Sequence, residues 1–288
     1  MSKQTAILNH YTKLETLFKI IKADGLHFFA TRYDFLNDKS EHNWSYKPLK
    51  EEYKRVGFCA DKDFDRFYER FPYVISFSKE KDDKSMWKNY ADGGKGVVLG
   101  LFSECIDSFS VCVNETRLGT SQVSLIYDIL YDVEYLNEKV NKNELKQTID
   151  KIAKEFIDKV GFGETDEEIL DARICACPFI KEEKWKAEHE IRYIRIKGRG
   201  LEFKYNKENP QEPIISTPND ASETKYRQEG DKNIPYIEIV FPCNALRCIT
   251  ISNNEKFIEA RQAIYEHINK FDDAYKEVKI ISSEVNKL

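Results

Sequence analysis

The chain has 288 residues, 41% of them hydrophobic and 13% aromatic, so it can bury a core and is not a disordered polymer. A net charge of −5 argues against a broad basic grip on DNA or RNA and leaves room for a local basic cleft. Seven cysteines without a signal-like apolar segment read as reduced thiols in a cytoplasm, and no apolar run reaches the roughly 20 residues that cross a bilayer.

Ile7 to Tyr11 reads as a short buried strand. Thr12 is placed to cap the next helix, with Glu15 completing a capping box. Leu14, Leu17, Phe18 and Ile21 form the apolar stripe of a helix from about Lys13 to Ala23. Gly25 stops it, and Leu26 to Ala30 returns as a second strand. Thr31 to Ser40 reads as an irregular loop. Glu41 to Arg70 carries helical charge patterning, with Trp44, Tyr53, Phe64 and Phe67 as packing residues.

Tyr73 to Ser78 alternates as a strand, followed by a short helix around Ser85 to Tyr90. Asp92 to Gly96 is a turn, and Val97 to Phe102 is a strand buried on both faces. Ile126 to Leu136 alternates as one strand, with Tyr131, Val133 and Tyr135 on one side. Lys142 to Val160 is the clearest amphipathic helix, and a second helical piece runs through Ile169 to Cys177. Residues 198–233 are polar and contain Pro210, Pro213 and Pro218, the pattern of a long loop or mobile hairpin. Strands at Ile234 to Phe241 and Leu246 to Ile251 precede a last helix, Asn254 to Glu277. With no repeat and no break in composition, the expectation is one α+β domain over residues 1–288, with helical insertions near 41–70 and 140–180.

The most informative stretch is Lys184-Trp185-Lys186-Ala187-Glu188-His189-Glu190-Ile191-Arg192, a charged run that passes directly into a strand pattern. Two carboxylates two residues apart at a strand start, Glu188 and Glu190, project from one face. Like charges repel there, so the pair suits a site that holds a cationic centre or poises one acid beside another. His10 closes the first strand within the polar triplet His10-Tyr11-Thr12. Ser76 and Ser78 share one side of their strand, and Trp87 and Tyr90 are spaced to form either a core aromatic pair or a stacking wall for a planar ring. The cysteines lack the spacing of a zinc ligand set, so no metal is expected. Gly93-Gly94-Lys95-Gly96 lacks the spacing of a phosphate loop, and no dinucleotide fingerprint follows a strand.

Taken in order, His10-Tyr11-Thr12, Phe35-Leu36-Asn37-Asp38, Ser76-Phe77-Ser78, Met86-Trp87-Lys88-Asn89-Tyr90-Ala91, Trp185 to Arg192 and Pro242 to Leu246 form a series. The series resembles a widespread bacterial domain family long labelled as of unknown function, which in turn resembles the ADP-ribosyltransferase fold. That resemblance implies an α+β fold whose split mixed β-sheet clasps NAD in a cleft, with NAD as substrate and no metal. It implies His10, with Tyr11 and Thr12 nearby, on the adenosine-side ribose, and Ser76 or Ser78 at the nicotinamide ribose. Tyr90, with Trp87 second, would stack on nicotinamide, and Arg32 would contact phosphate. Glu190 would stabilise the oxocarbenium-like state as nicotinamide leaves, while Glu188 orients the acceptor; which of the two is catalytic stays open. The implied function is mono-ADP-ribosyl transfer to a macromolecule, with single-stranded RNA or DNA ahead of protein, in a bacterial toxin of a toxin–antitoxin or anti-phage defence system, held by an antitoxin protein. The alternatives are a non-catalytic nucleotide- or protein-binding module and an NAD glycohydrolase.

Overall fold

The structure is a computed structural model that describes residues 6–36, 44–46, 49, 71–106, 111–116, 120–125, 127–160, 166–196, 201–204, 214–216, 224–253, 256–271 and 273–285. It is a mixed α/β architecture built on an 11-stranded sheet. The main path runs through β14 (Lys225–Glu229), β15 (Lys232–Phe241), β3 (Gly25–Arg32), β4 (Tyr73–Ser78), β1 (Ile7–Thr12), β5 (Val97–Phe102), β16 (Leu246–Ile251) and β17 (Lys279–Ser282). A branch leaves β4 through β11 (Glu190–Ile196) to β8 (Tyr127–Asp132), and the short β2 (Ile21–Lys22) pairs with β3. All these pairings are antiparallel except β16 with β17.

The pairings of β4 decide the shape of the sheet. One edge carries β11 along its length, from Glu190 opposite Ser78 to Arg195 opposite Tyr73. The other edge meets β3 at Tyr73 and Val74 but meets β1 at Ser78, so β1 and β3 part over the middle of β4. Side chains alternate between the faces. Tyr73, Ile75 and Phe77 therefore join a core with Leu8, Phe28, Leu99, Ile239 and Ile249, closed by Leu17 and Ile20 of α1 (Leu14–Ile20) and Ile264 and Ile268 of α5 (Phe257–Ile268). On the opposite face, Val74, Ile129, Ile194 and Ile196 pack beneath α3 (Lys142–Val160) and α4 (Asp166–Ala176). Leu145, Ile149, Ile152 and Phe156 of α3 supply the buried stripe that the sequence periodicity predicts.

Several expectations need correction. Thr12 is not a helix cap: it pairs with Val97 as the last residue of β1, and Lys13 precedes α1 without a side-chain cap. The first helix ends at Ile20 because Ile21 and Lys22 turn into β2 against β3. Residues 31 and 32 continue β3 instead of opening a loop. The long alternating run breaks at Val133 into β8 and β9 (Glu134–Leu136), and Val133 N–H donates to the carbonyl of Glu190. The polar region after residue 198 contains β12 (Leu201–Lys204), β13 (Ile214–Ser216) and β14. β14 is mostly exposed and carries little hydrophobic periodicity, and it is held by its ladder to β15. The last helix stops at Ile268 and β17 follows. β6 (Val111–Thr116) and β7 (Thr120–Leu125), which the sequence reading does not foresee, pair with each other, and β7 also pairs with β12 in a four-stranded sheet. Tyr53, Phe64 and Phe67 lie outside the described residues, while Trp44 packs on the second core. Among the described residues no helix is long and apolar enough to cross a membrane.

Candidate functional site

The site lies where β1 and β3 part, on the face of β4 that carries Ser76 and Ser78. Register sets its composition, because residues directly opposite one another share a face. Asn9 and Glu190 both stand opposite Ser78, and Arg192 stands opposite Ser76. A third small cluster forms the neighbouring wall, in which Tyr11, Met86, Trp87, Ala91 and Val98 pack together. Met86, Trp87 and Tyr90 come from α2 (Lys84–Tyr90), whose first turn is capped by the Asp83 carboxylate accepting from Met86 N–H at 2.9 Å. The turn after α2 needs glycine: Gly93 and Gly94 have φ of 63° and 88°, and a side chain on Gly96 would collide with the carbonyl of Thr12.

These elements enclose a pocket of about 200 Å³ lined by His10, Tyr11, Ser76, Ser78, Tyr90, Glu188 and Glu190. All seven were singled out from segments spread along the sequence. Asn9, Leu36, Phe77, Met86, Lys181 and Arg192 complete the lining. Three of the expected site residues stay outside it. Thr12, paired with Val97 at the end of β1, is not among the lining residues. Arg32 forms a two-point ion pair with Asp34, at 2.7 and 2.9 Å, and covers the ring of Phe35. Trp87 is fully buried, donating Nε1–H to Asp82 at 2.6 Å and meeting Tyr11 edge to face, so it is the core half of the aromatic pair.

Glu188 and Glu190 do converge, but strand alternation is not the cause. Glu188 ends a 3-10 segment (Glu183–Glu188), and His189 takes the left-handed conformation with φ of 43° before β11 begins at Glu190. That turn swings both carboxylates inward, where each is only 6% exposed. Lys181, on β10 (Ile180–Glu182), supplies the charge between them. Its Nζ lies 2.5 Å from Glu188 Oε2 and 3.0 Å from Glu190 Oε2. Arg192 grips Glu190 with two donors at 2.7 and 3.0 Å, and its Nη1 donates to the carbonyl of Pro178 at 2.6 Å. Tyr90 donates its hydroxyl to Glu188 Oε1 at 2.5 Å. Two acids and two cations thus balance in a nearly dry setting, which is why like charges are tolerated there.

Burial is the largest influence on the Glu190 carboxyl and would raise its pKa. Arg192, Lys181 and the Ser76 hydroxyl together outweigh it and hold the group well below the usual carboxylate range. Burial, reinforced by the bond to Glu188, pushes the Tyr90 phenol far up, so it remains a donor. The Tyr135 hydroxyl accepts from Glu190 N–H at 2.8 Å; burial raises that phenol to about 12. Tyr135 stands opposite Lys181 in the parallel pairing of β9 with β10, so one small ladder places two of the groups that fix Glu190.

His10 sits in the gap between the parted strands. Its ring packs edge to face on Phe28 and Phe77, and Nδ1 lies 3.0 Å from the carbonyl of Ser76. Burial lowers its pKa despite that bond, so the neutral ring carries its proton on Nδ1 and presents Nε2 as an acceptor. The hydroxyls of Ser78 and Tyr11 are committed to backbone. Ser78 donates to the Glu188 carbonyl at 2.7 Å, and Tyr11 donates to the Glu80 carbonyl at 2.9 Å. Asn9 Oδ1 is buried without a donor among the described residues, a state that costs about 1–3 kcal/mol.

Sequence reasoning overlooked Lys181, Arg192 and Asn9 as site residues. Arg192 carried a readable signal, since it follows Glu190 by two on one strand face. Lys181 carried none, because it arrives from a separate short strand.

Residues 86–193 match a family model described as "Protein of unknown function (DUF2971)". The chain is similar to that family over this segment, which holds Tyr90, Lys181, Glu188, Glu190 and Arg192 but neither β1 nor β4. No curated protein and no solved structure matches the chain.

Proposed function

We propose that the chain is an NAD-dependent mono-ADP-ribosyltransferase that acts at this pocket on a macromolecule, with a nucleic-acid base ahead of a protein side chain as acceptor. The observation that carries the reading is that His10, Ser76, Tyr90, Glu188 and Glu190, drawn from distant segments, line one pocket beside the parting of β1 and β3. A split sheet with a histidine on one strand and a glutamate on another is the arrangement that the resemblance implies.

At about 200 Å³ the pocket is smaller than the roughly 300–1,000 Å³ that encloses a whole drug-sized ligand, so it fits one end of NAD. The nicotinamide-ribose end matches the acceptors and carboxylates of the wall and the phosphates stay outside, which moves His10 from the adenosine-side ribose that the resemblance implies to the nicotinamide side. In the reaction the ribose–nitrogen bond breaks and nicotinamide leaves with the electron pair. The acceptor then bonds to the ribose carbon and loses a proton. Positive charge develops on the sugar, and the ionised Glu190 is the group suited to it.

One observation favours a second reading, a pocket that binds without chemistry. Both oxygens of Glu190 and both of Glu188 already hold donors. In catalysis a sugar hydroxyl would have to share a carboxylate oxygen with one of these donors or displace it.

Incubation with labelled NAD and separate RNA, DNA and protein pools tests these readings. Transfer is expected in the wild type and abolished in Glu190→Gln assayed below its melting temperature. Nicotinamide release without labelled acceptor points to an NAD glycohydrolase. NAD binding without release leaves a binding module, and the absence of both overturns the proposal. The resemblance also carries a toxin setting, for which induced expression should arrest growth unless Glu190 is replaced.

A further inference from the structure

We propose that the side-chain oxygen of Asn9 recognises an N–H donor on the group held in the pocket; resting on the NAD reading above, that donor is the carboxamide of nicotinamide. The orientation of the Asn9 amide follows from its partners. Its Nδ2 donates to the carbonyls of Ser78 and Lys79, at 3.2 and 3.4 Å. Turning the amide over would set oxygen against both carbonyls, so the oxygen faces away from them. There it has no donor among the described residues; Asn9 lines the pocket with Ser76, Ser78 and Glu190 but is only 2% exposed, so an incoming donor reaches the oxygen only as that lining gives way.

The neighbouring hydroxyls are spent elsewhere. Tyr11 donates to the Glu80 carbonyl, Ser78 to the Glu188 carbonyl and Tyr90 to the Glu188 carboxylate. With Nδ1 of His10 on the Ser76 carbonyl, that ring also offers an acceptor. A neutral group bearing N–H donors is matched by such a wall, whereas a carboxylate or phosphate would face acceptors and two acids, with the cations Lys181 and Arg192 already engaged by those acids.

Calorimetric binding to the wild-type chain tests this with two dinucleotides: NAD and its 3-acetylpyridine analogue, in which a methyl replaces the amide NH₂ at unchanged charge. NAD is expected to bind about two- to tenfold more tightly, the scale of one net hydrogen bond. A folded Asn9→Leu variant should lose most of that difference by binding NAD more weakly. Equal affinities in the wild type, or an undiminished difference in the variant, overturn the role of Asn9 and leave the NAD reading standing. Failure of both dinucleotides to bind removes the NAD reading, and this inference with it.

Discussion

Replacing Glu190 with glutamine keeps the shape of the side chain and removes its charge. Arg192 and Lys181, 2% and 5% exposed, would then hold two positive charges against Glu188 alone. Breaking a buried ion pair from one side costs about 3–5 kcal/mol, because the remaining charge stays desolvated. In a chain of this size about 1 kcal/mol shifts Tm by roughly 2 °C, so Glu190→Gln should melt about 6–10 °C below the wild type. Scanning calorimetry at pH 7 measures it. Adding Lys181→Met removes the surplus charge, and the double variant should be more stable than the summed single losses by about 1–3 kcal/mol. A Glu190→Gln variant melting within about 1 °C of the wild type would refute the balanced buried cluster. The electrostatic account of Glu190 would then fail with it.

Acid should act on the same group. The folded-state pKa of Glu190 is depressed below its ordinary 4.5, so its stabilisation is complete above 4.5 and is lost as pH falls through the lower folded value, about 2. Urea midpoints taken from pH 6 downward should fall more steeply for the wild type than for Glu190→Gln; parallel curves would contradict this. Tyr90→Phe removes one hydrogen bond to a charged oxygen and should cost about 1.5–3 kcal/mol at most, less where water reaches Glu188, as read by chemical denaturation. Gly96→Ala should destabilise by about 1–3 kcal/mol or more, since its methyl meets the Thr12 carbonyl, and a neutral result would show that β1 and the turn after α2 can separate.

Much of the architecture was legible from periodicity. β4, β5 and α3 fall where the apolar pattern places them, because each buries a face whose repeat matches its geometry. The exposed β14 and the edge strand β17 escaped that reading, since their residues gain stability from ladder partners far along the chain. The candidate site divides in the same way. His10, Ser76, Ser78 and the acidic pair were visible as residue types at strand ends. Thr12, Arg32 and Trp87 stand near those motifs in the chain, but the fold leaves all three outside the pocket lining, with Arg32 paired to Asp34 and Trp87 in the core.

What the sequence by itself determined is the set of amphipathic segments and an acidic pair flanking His189, because local pattern and charge are properties of neighbours in the chain. Tertiary structure alone decided that this pair is neutralised. Lys181 reaches it from a short parallel ladder, Tyr90 from a helix nearly a hundred residues away and Arg192 from the register of β11 on β4. A buried charge is tolerable only with partners close enough to replace water, and the fold, not the local sequence, brings them there.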